Sequence, residues 1–414
     1  MSNPKGIILS APSSGCGKTT ITLGLLRALK NSGLQIKSAK SGPDYIDTRF
    51  HAAASGSECY NLDSWAMCPD QICKLANEAT PLIIEGAMGL FDGAPPEGKG
   101  STSDLAGILK LPVVLILDAA SQAQSIAALT LGFQKLDPNV KISGIILNKV
   151  GSDKHNRILL KALEPLGIPI LGSIYRNKDL NMPSRHLGLV QAQELNNLDE
   201  FLNTAAKIVS DSIDIAKLLK LMKPIPKQKK DTNLFLEPPA QSICIASDAA
   251  FSFTYPHILK EWHRIGIEIS FFSSLKNEAP RDANLIFLPG GYPELYAEKL
   301  ANADIFKKAM KEAEAVYGEC GGYMTMGSGI IDAKGKKHEM LGLLNLETSF
   351  EEKKLHLGYR NLAPNNIWSS NLKAHEFHYS TTLKAEGMPL FRAQDSEGNH
   401  LPDMGLVNGS FSGS

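Results

Sequence analysis

A chain of 414 residues is too long for one ordinary hydrophobic core, which predicts two or three domains. Hydrophobic residues make up 43% and charged ones 21%, as in globular proteins, and 43 basic side chains balance 43 acidic ones. Neutrality argues against a general nucleic-acid or membrane-surface binder, which needs a basic excess, but leaves room for a local basic pocket.

The opening Met1-Ser2-Asn3-Pro4-Lys5 runs straight into Gly6-Ile7-Ile8-Leu9, without the pattern of a signal peptide. No apolar run is long enough to span a bilayer. Cys16, Cys59, Cys68, Cys73, Cys244 and Cys320 are too scattered for a disulfide framework or a zinc site. A reducing, cytoplasmic setting is expected.

Apolar segments at 6–11, 34–39, 82–85, 113–118 and 142–148 read as buried parallel strands. Amphipathic stretches at 19–31 and 121–136 read as helices between them. That alternation predicts βαβ units in a doubly wound sheet over residues 1–222. Proline and lysine then crowd together in Lys223-Pro224-Ile225-Pro226-Lys227, so 223–241 is expected to be a linker. A second α/β pattern follows over 242–414, with strands at 242–246, 267–272, 285–288 and 315–318.

Ala11-Pro12-Ser13-Ser14-Gly15-Cys16-Gly17-Lys18-Thr19-Thr20 lies between a strand and a helix, the setting of a phosphate-binding loop. Gly15, Gly17, Lys18, Thr19 and Thr20 are the candidate ATP contacts. Lys18 would reach the β- and γ-phosphates, and the Thr19 hydroxyl would hold Mg²⁺. Ligands of open α/β sheets bind at the carboxyl ends of strands, where Asp44, Asp47 and Glu85 fall. Carboxylates there can bind Mg²⁺, with Glu85 foremost. Alternatively Asp44 and Asp47 cap turns around Pro43. Asn148-Lys149 could touch the adenine or form a solvated turn.

Gly318-Glu319-Cys320-Gly321-Gly322 has the strand–nucleophile–helix form of an elbow, and the helix N-terminus is expected to lower the thiol pKa. The upstream turn Pro289-Gly290-Gly291-Tyr292-Pro293-Glu294 could aim backbone N–H groups, that of Gly291 among them, at a developing oxyanion.

Together with Gly42-Pro43-Asp44-Tyr45-Ile46-Asp47, Glu85-Gly86, Met88 to Gly93, Arg185-His186-Leu187-Gly188-Leu189, Asp248 to Phe253 and His375-Glu376-Phe377-His378-Tyr379-Ser380, these motifs resemble the cobyrinate (or hydrogenobyrinate) a,c-diamide synthase family over essentially the whole chain. The resemblance implies a dethiobiotin-synthetase-like ATP domain followed by a class I glutamine amidotransferase domain. It further implies ATP- and Mg²⁺-dependent amidation of the a and c carboxylates of a corrin precursor through acyl phosphates, in cobalamin biosynthesis. Cys320 would draw ammonia from glutamine through a thioester. Expected partners are a tetrapyrrole and glutamine, with no nucleic acid or membrane, in a monomer or homodimer.

The family's catalytic histidine follows a Gly-Ser pair on the last strand, whereas Gly409-Ser410-Phe411-Ser412-Gly413-Ser414 ends where that segment is expected to begin. The closing strand is therefore expected to be missing, with His378 or His375 as substitute base. Alternatives are the same chemistry on nickel-sirohydrochlorin, a P-loop ATPase switch, or a glutamine-sensing binding protein.

Overall fold

The computed structural model describes residues 4–78, 81–182, 184–185, 188–189, 197–228, 236–352, 354–365 and 367–414, with backbone alone at 184–185 and 188–189. The chain divides into two compact units, residues 1–234 and 235–414.

In the first unit the strands of the main sheet are β1 (Lys5–Ser10), β2 (Lys37–Ser41), β3 (Cys59–Leu62), β4 (Leu82–Glu85), β5 (Val113–Asp118), β6 (Ile142–Val150), β7 (Ile170–Tyr175) and the short β8 (Lys223–Pro224). They form one sheet in the order β3-β2-β4-β1-β5-β6-β7, parallel throughout, with β8 antiparallel on β1. Crossover helices bury both faces of such a sheet, which is why its strands read as unbroken Val/Ile/Leu runs. Ile7, Leu9, Ile83, Val114, Ile116 and Ile146 join one core with Leu23 and Leu26 of α1 (Lys18–Asn31). Between α1 and β3 lies α2 (Tyr45–Ser55), and α3 (Leu198–Ser212) packs on α1 and is tied to it by Arg27–Asp199 at 2.6 Å.

The expected strands 82–85 and 113–118 match the observed ones, but two strands escaped the periodicity argument. β3 carries a polar residue in Cys59-Tyr60-Asn61-Leu62, and β7 is the edge strand, with only Leu171 and Ile174 of its six residues buried.

The expected linker 223–241 also needs correction. Lys223–Pro224 pairs with Lys5 and Gly6, Ile225 is buried, and its amide donates to the Pro4 carbonyl at 2.8 Å. A proline is tolerated here because β8 is only a short strip added to the sheet. At the far end the Leu236 carbonyl accepts from Trp262 Nε1 at 2.7 Å and belongs with the second unit. Both ends of the proline-rich stretch are thus built into a domain.

In the second unit the strands β9 (Ser242–Ala246), β10 (Glu268–Phe272), β11 (Leu285–Leu288) and β12 (Val316–Gly318) are parallel. Helix α4 (Gly321–Met326) follows β12. After a four-stranded sheet built from Gly329–Ile331, Lys337–Glu339, Leu346–Ser349 and Thr381–Ala385 is begun, the chain forms a three-stranded antiparallel sheet of β13 (His356–Pro364), β14 (Leu372–His378) and β15 (Phe391–Gln394). The chain then returns to the main sheet through β16 (Leu406–Asn408) and β17 (Phe411–Gly413). The sheet order is β10-β9-β11-β12-β17-β16. Phe411–Gly413 runs parallel beside β12, with Val316 opposite Phe411 and Gly318 opposite Gly413. β17 also pairs antiparallel with β16 on its other side.

Candidate active site

The loop between β1 and α1 turns on two left-handed glycines, Gly15 at φ 81° and Gly17 at φ 88°. At Gly17 a Cβ would lie 2.3 Å from Asn148 Nδ2, so both backbone and space require glycine there. Lys18 opens α1 and folds back to donate to the Ser13 carbonyl at 3.1 Å, closing its side chain over the loop. Burial pushes its pKa down, with Glu85 opposing.

Three expected metal-site residues converge. Thr19 Oγ1 donates to Glu85 Oε1 at 2.6 Å and to Asp47 Oδ2 at 3.4 Å. Asp44 does not join them. Its Oδ1 accepts from the amides of Ile46 and Asp47 and caps α2, the turn-capping alternative, and burial with the neighbouring Asp47 pushes its pKa up to about 6. Thr20 also faces away, donating to the Leu180 carbonyl at 3.4 Å.

Two residues without an expected role complete the cluster. Lys40 Nζ pairs with Asp47 Oδ2 at 2.5 Å and with Glu85 Oε1 at 2.8 Å, its side chain only 4% exposed. His51 Nε2 lies 2.6 Å from Glu85 Oε2, and Cys59 Sγ lies 3.5 Å from the other ring nitrogen. The register explains the meeting. Lys40 and Leu9 both stand opposite Glu85 on the two strands flanking β4. Burial resists ionisation of Glu85, but Lys40 and His51 outweigh it and hold the carboxyl well below its usual range. For Lys40, burial is likewise overcome by Asp47 and Glu85, which hold the ammonium charged. The sequence did carry a signal, since lysine in a buried parallel strand must find a counter-charge.

Asn148 and Lys149 are hydrogen-bonded to the loop. Asn148 Nδ2 donates to the Cys16 carbonyl at 2.8 Å, while Lys149 Nζ donates to the Gly15 carbonyl at 2.9 Å and pairs with Asp118 at 2.6 Å.

The second unit builds its site from backbone. Cys320 sits between β12 and α4 at φ 49°, ψ −110°, a conformation that costs a non-glycine residue on the order of 1–3 kcal/mol. Its amide donates to the Ser414 carbonyl at 2.8 Å, and the Gly321 and Gly291 amides donate to its sulfur. Gly291 is held against the family-like segment that begins at Asp248: a Cβ there would stand 2.0 Å from the Ala250 carbonyl oxygen. Asp248 anchors that segment by accepting from Ser273, Ser274 and the Leu275 amide. The expectation of a lowered thiol pKa is overturned. Burial dominates, Glu294 and Glu319 add to it, and the two amides only partly offset it, so the thiol is pushed up to about 11. A helix of six residues has too little dipole to reverse that.

A model of the CobB/CobQ-like glutamine amidotransferase domain matches residues 242–414, and one of the CobQ/CobB/MinD/ParA nucleotide binding domain matches residues 7–190. The hydrogenobyrinate a,c-diamide synthase of Brucella anthropi is 51% identical over 425 residues, covering 99% of this chain and 97% of its own. That of Rhodobacter capsulatus is 45% identical over 426 residues, covering 99% and 98%. The chain belongs to the cobyrinate and hydrogenobyrinate a,c-diamide synthase family. The expected fold class is borne out: a P-loop-type parallel α/β domain followed by a glutamine amidotransferase-type α/β domain. The two domain matches also bear out nucleotide binding and an amidating enzyme. Among the described residues no helix is long and apolar enough to cross a membrane.

Two family-like motifs remain. Arg185–Leu189 lies outside the residues whose side chains are described. His378, the substitute base, sits on β14 with Nε2 2.9 Å from Glu376 Oε1 and Nδ1 3.1 Å from Ser380 Oγ. Both ring nitrogens are thus engaged by neighbours in sequence. On the same strand, burial pushes His375 down to about 4, a poor proton acceptor at neutral pH.

Proposed function

We propose that the protein amidates the a and c carboxylates of a cobyrinate-type corrin precursor, using ATP and ammonia drawn from glutamine. A carboxylate oxygen leaves poorly, so phosphorylation must precede attack by ammonia. Lys18 and the loop amides bind and orient the ATP phosphates. Thr19, Asp47 and Glu85 would hold Mg²⁺: their oxygens are hard donors, and the hydroxyl already lies against both carboxylates. When bound, the ion would neutralise charge on the phosphate oxygens. Lys40 and His51 keep Glu85 ionised and oriented. Cys320 attacks the glutamine side-chain amide, forming a thioester and expelling ammonia, and the Gly291 and Gly321 amides support the oxyanion. The full-length kinship to hydrogenobyrinate a,c-diamide synthases supports this substrate class, and nickel-sirohydrochlorin is the nearest alternative of the same chemistry.

The observation that carries the reading is one chain with both a P-loop opening on Lys18-Thr19 and a strained cysteine ringed by glycine amides. Its test is corrinoid amidation read by mass, with glutamine or with ammonium. Lys18→Ala should abolish product from both nitrogen sources, while Cys320→Ser should abolish it from glutamine alone. Near-normal ammonium-dependent amidation by Lys18→Ala would overturn the assignment of the loop.

A further inference from the structure

One motif is left without a task by this mechanism, and its side chains form a cluster of their own. His356 opens β13 directly opposite His378, the last residue of β14, so both rings project from one face of the antiparallel ribbon. Glu376, two residues before His378, stands on that same face. The imidazoles stack with centroids 4.6 Å apart and planes 13° from parallel. One ligand atom from each of His356, Glu376 and His378 lies within 4.8 Å of the other two.

From this juxtaposition we infer a binding site for a divalent first-row transition ion of the Zn²⁺ or Co²⁺ type, held by His356, Glu376 and His378. Two imidazoles and one carboxylate suit such ions better than Mg²⁺ or Ca²⁺, which prefer all-oxygen sets. The contact of 2.9 Å between His378 Nε2 and Glu376 Oε1 is close to the separation of two adjacent ligands on bonds of about 2.0–2.2 Å. His356 has to swing inward by roughly an ångström to complete the set at such bond lengths. Its partly exposed position at the ribbon end leaves that freedom.

The surrounding groups orient the ligands in the way metal sites require. Ser380 Oγ engages His378 Nδ1 at 3.1 Å, leaving Nε2 to face the cluster. Opposite Glu376 is Gly358, and the guanidinium of Arg360 occupies the space a side chain would fill there. Arg360 reaches Glu376 Oε2 through Nε and Nη2 at 3.1 and 2.5 Å, so only Oε1 is turned toward the imidazoles. Three protein ligands leave at least one coordination position open to water or to an exogenous carboxylate.

The test uses the whole chain, stripped with a chelator and titrated with Co²⁺ alone. Visible absorption reports coordination, and Zn²⁺ is then added as competitor. A histidine-ligated Co²⁺ spectrum should appear in Cys320→Ser as in the unmutated chain, because no thiolate takes part. His356→Ala and Glu376→Gln should each weaken binding by at least ~10-fold. The second change is isosteric, so it reads the site even where the first disturbs the ribbon. Absence of binding at millimolar Co²⁺ overturns the inference. Unchanged affinity in either folded variant does so too, as does a spectrum that vanishes in Cys320→Ser.

Discussion

The two sites solve opposite electrostatic problems. At the phosphate loop, charged side chains are buried together: Lys40, Asp47, Glu85 and His51 are each under 8% exposed at the side chain and neutralise one another. At the thiol, backbone amides surround the sulfur, and the nearby carboxyls of Glu294 and Glu319 disfavour its ionisation. The first site is charged before substrate arrives. The second is neutral at rest, so its nucleophile must be deprotonated as the reaction proceeds. Buried charge clusters tie activity to stability, whereas a backbone-built site can lose activity with little loss of fold.

The largest effect expected from that contrast is at Lys40. Lys40→Met should cost about 3–5 kcal/mol of stability, because it leaves Asp47 and Glu85 buried without their counter-charge. Urea unfolding of the first unit checks it. A change within experimental error would mean that the carboxylates are not jointly ionised.

Gly291→Ala should break the other site, with a local cost to the fold because the nearest atoms to the new methyl are backbone. The new methyl would stand 2.0 Å from the Ala250 carbonyl, pushing the amide off the Cys320 sulfur. Glutaminase turnover should drop by about 10²–10³, the usual loss for one oxyanion donor, with ammonium-dependent synthesis preserved. Equal loss from both nitrogen sources would show that the two sites are not separable in this way.

Glu319 sharpens the comparison through pH. Burial raises its pKa to about 7, partly offset by a hydrogen bond from Tyr317. A carboxyl raised on folding binds more protons in the native state, so stability falls as pH rises from about 4.5 to about 7. Glu319→Gln should remove that slope, gaining about 1–2 kcal/mol at pH 8 relative to pH 5 after allowance for partial solvent access. Thermal melts at the two pH values read the difference directly.

The smallest expected effect is a displaced titration. Alkylation of Cys320 in the absence of glutamine should keep accelerating toward pH 11, where an ordinary cysteine levels off near 9. A plateau near or below 9 would mean that the glycine amides outweigh burial after all.

Local and periodic features were legible without coordinates. The phosphate loop, the cysteine between small residues, and the apolar runs of β4 and β5 each announce themselves within about ten residues. Backbone turns need glycine at fixed offsets, and doubly buried strands need continuous apolar residues, so the chain by itself determined two nucleotide- and thiol-bearing α/β domains. Only tertiary structure decided which side chains meet. Lys40 reaches Glu85 because parallel register sets them opposite each other on neighbouring strands, and Asp44 turns away because it caps α2. His378 faces His356 across a ribbon whose pairing no local pattern encodes. Likewise the thiol pKa follows burial, a property of everything packed around Cys320, and so it opposed the expectation drawn from its helix alone.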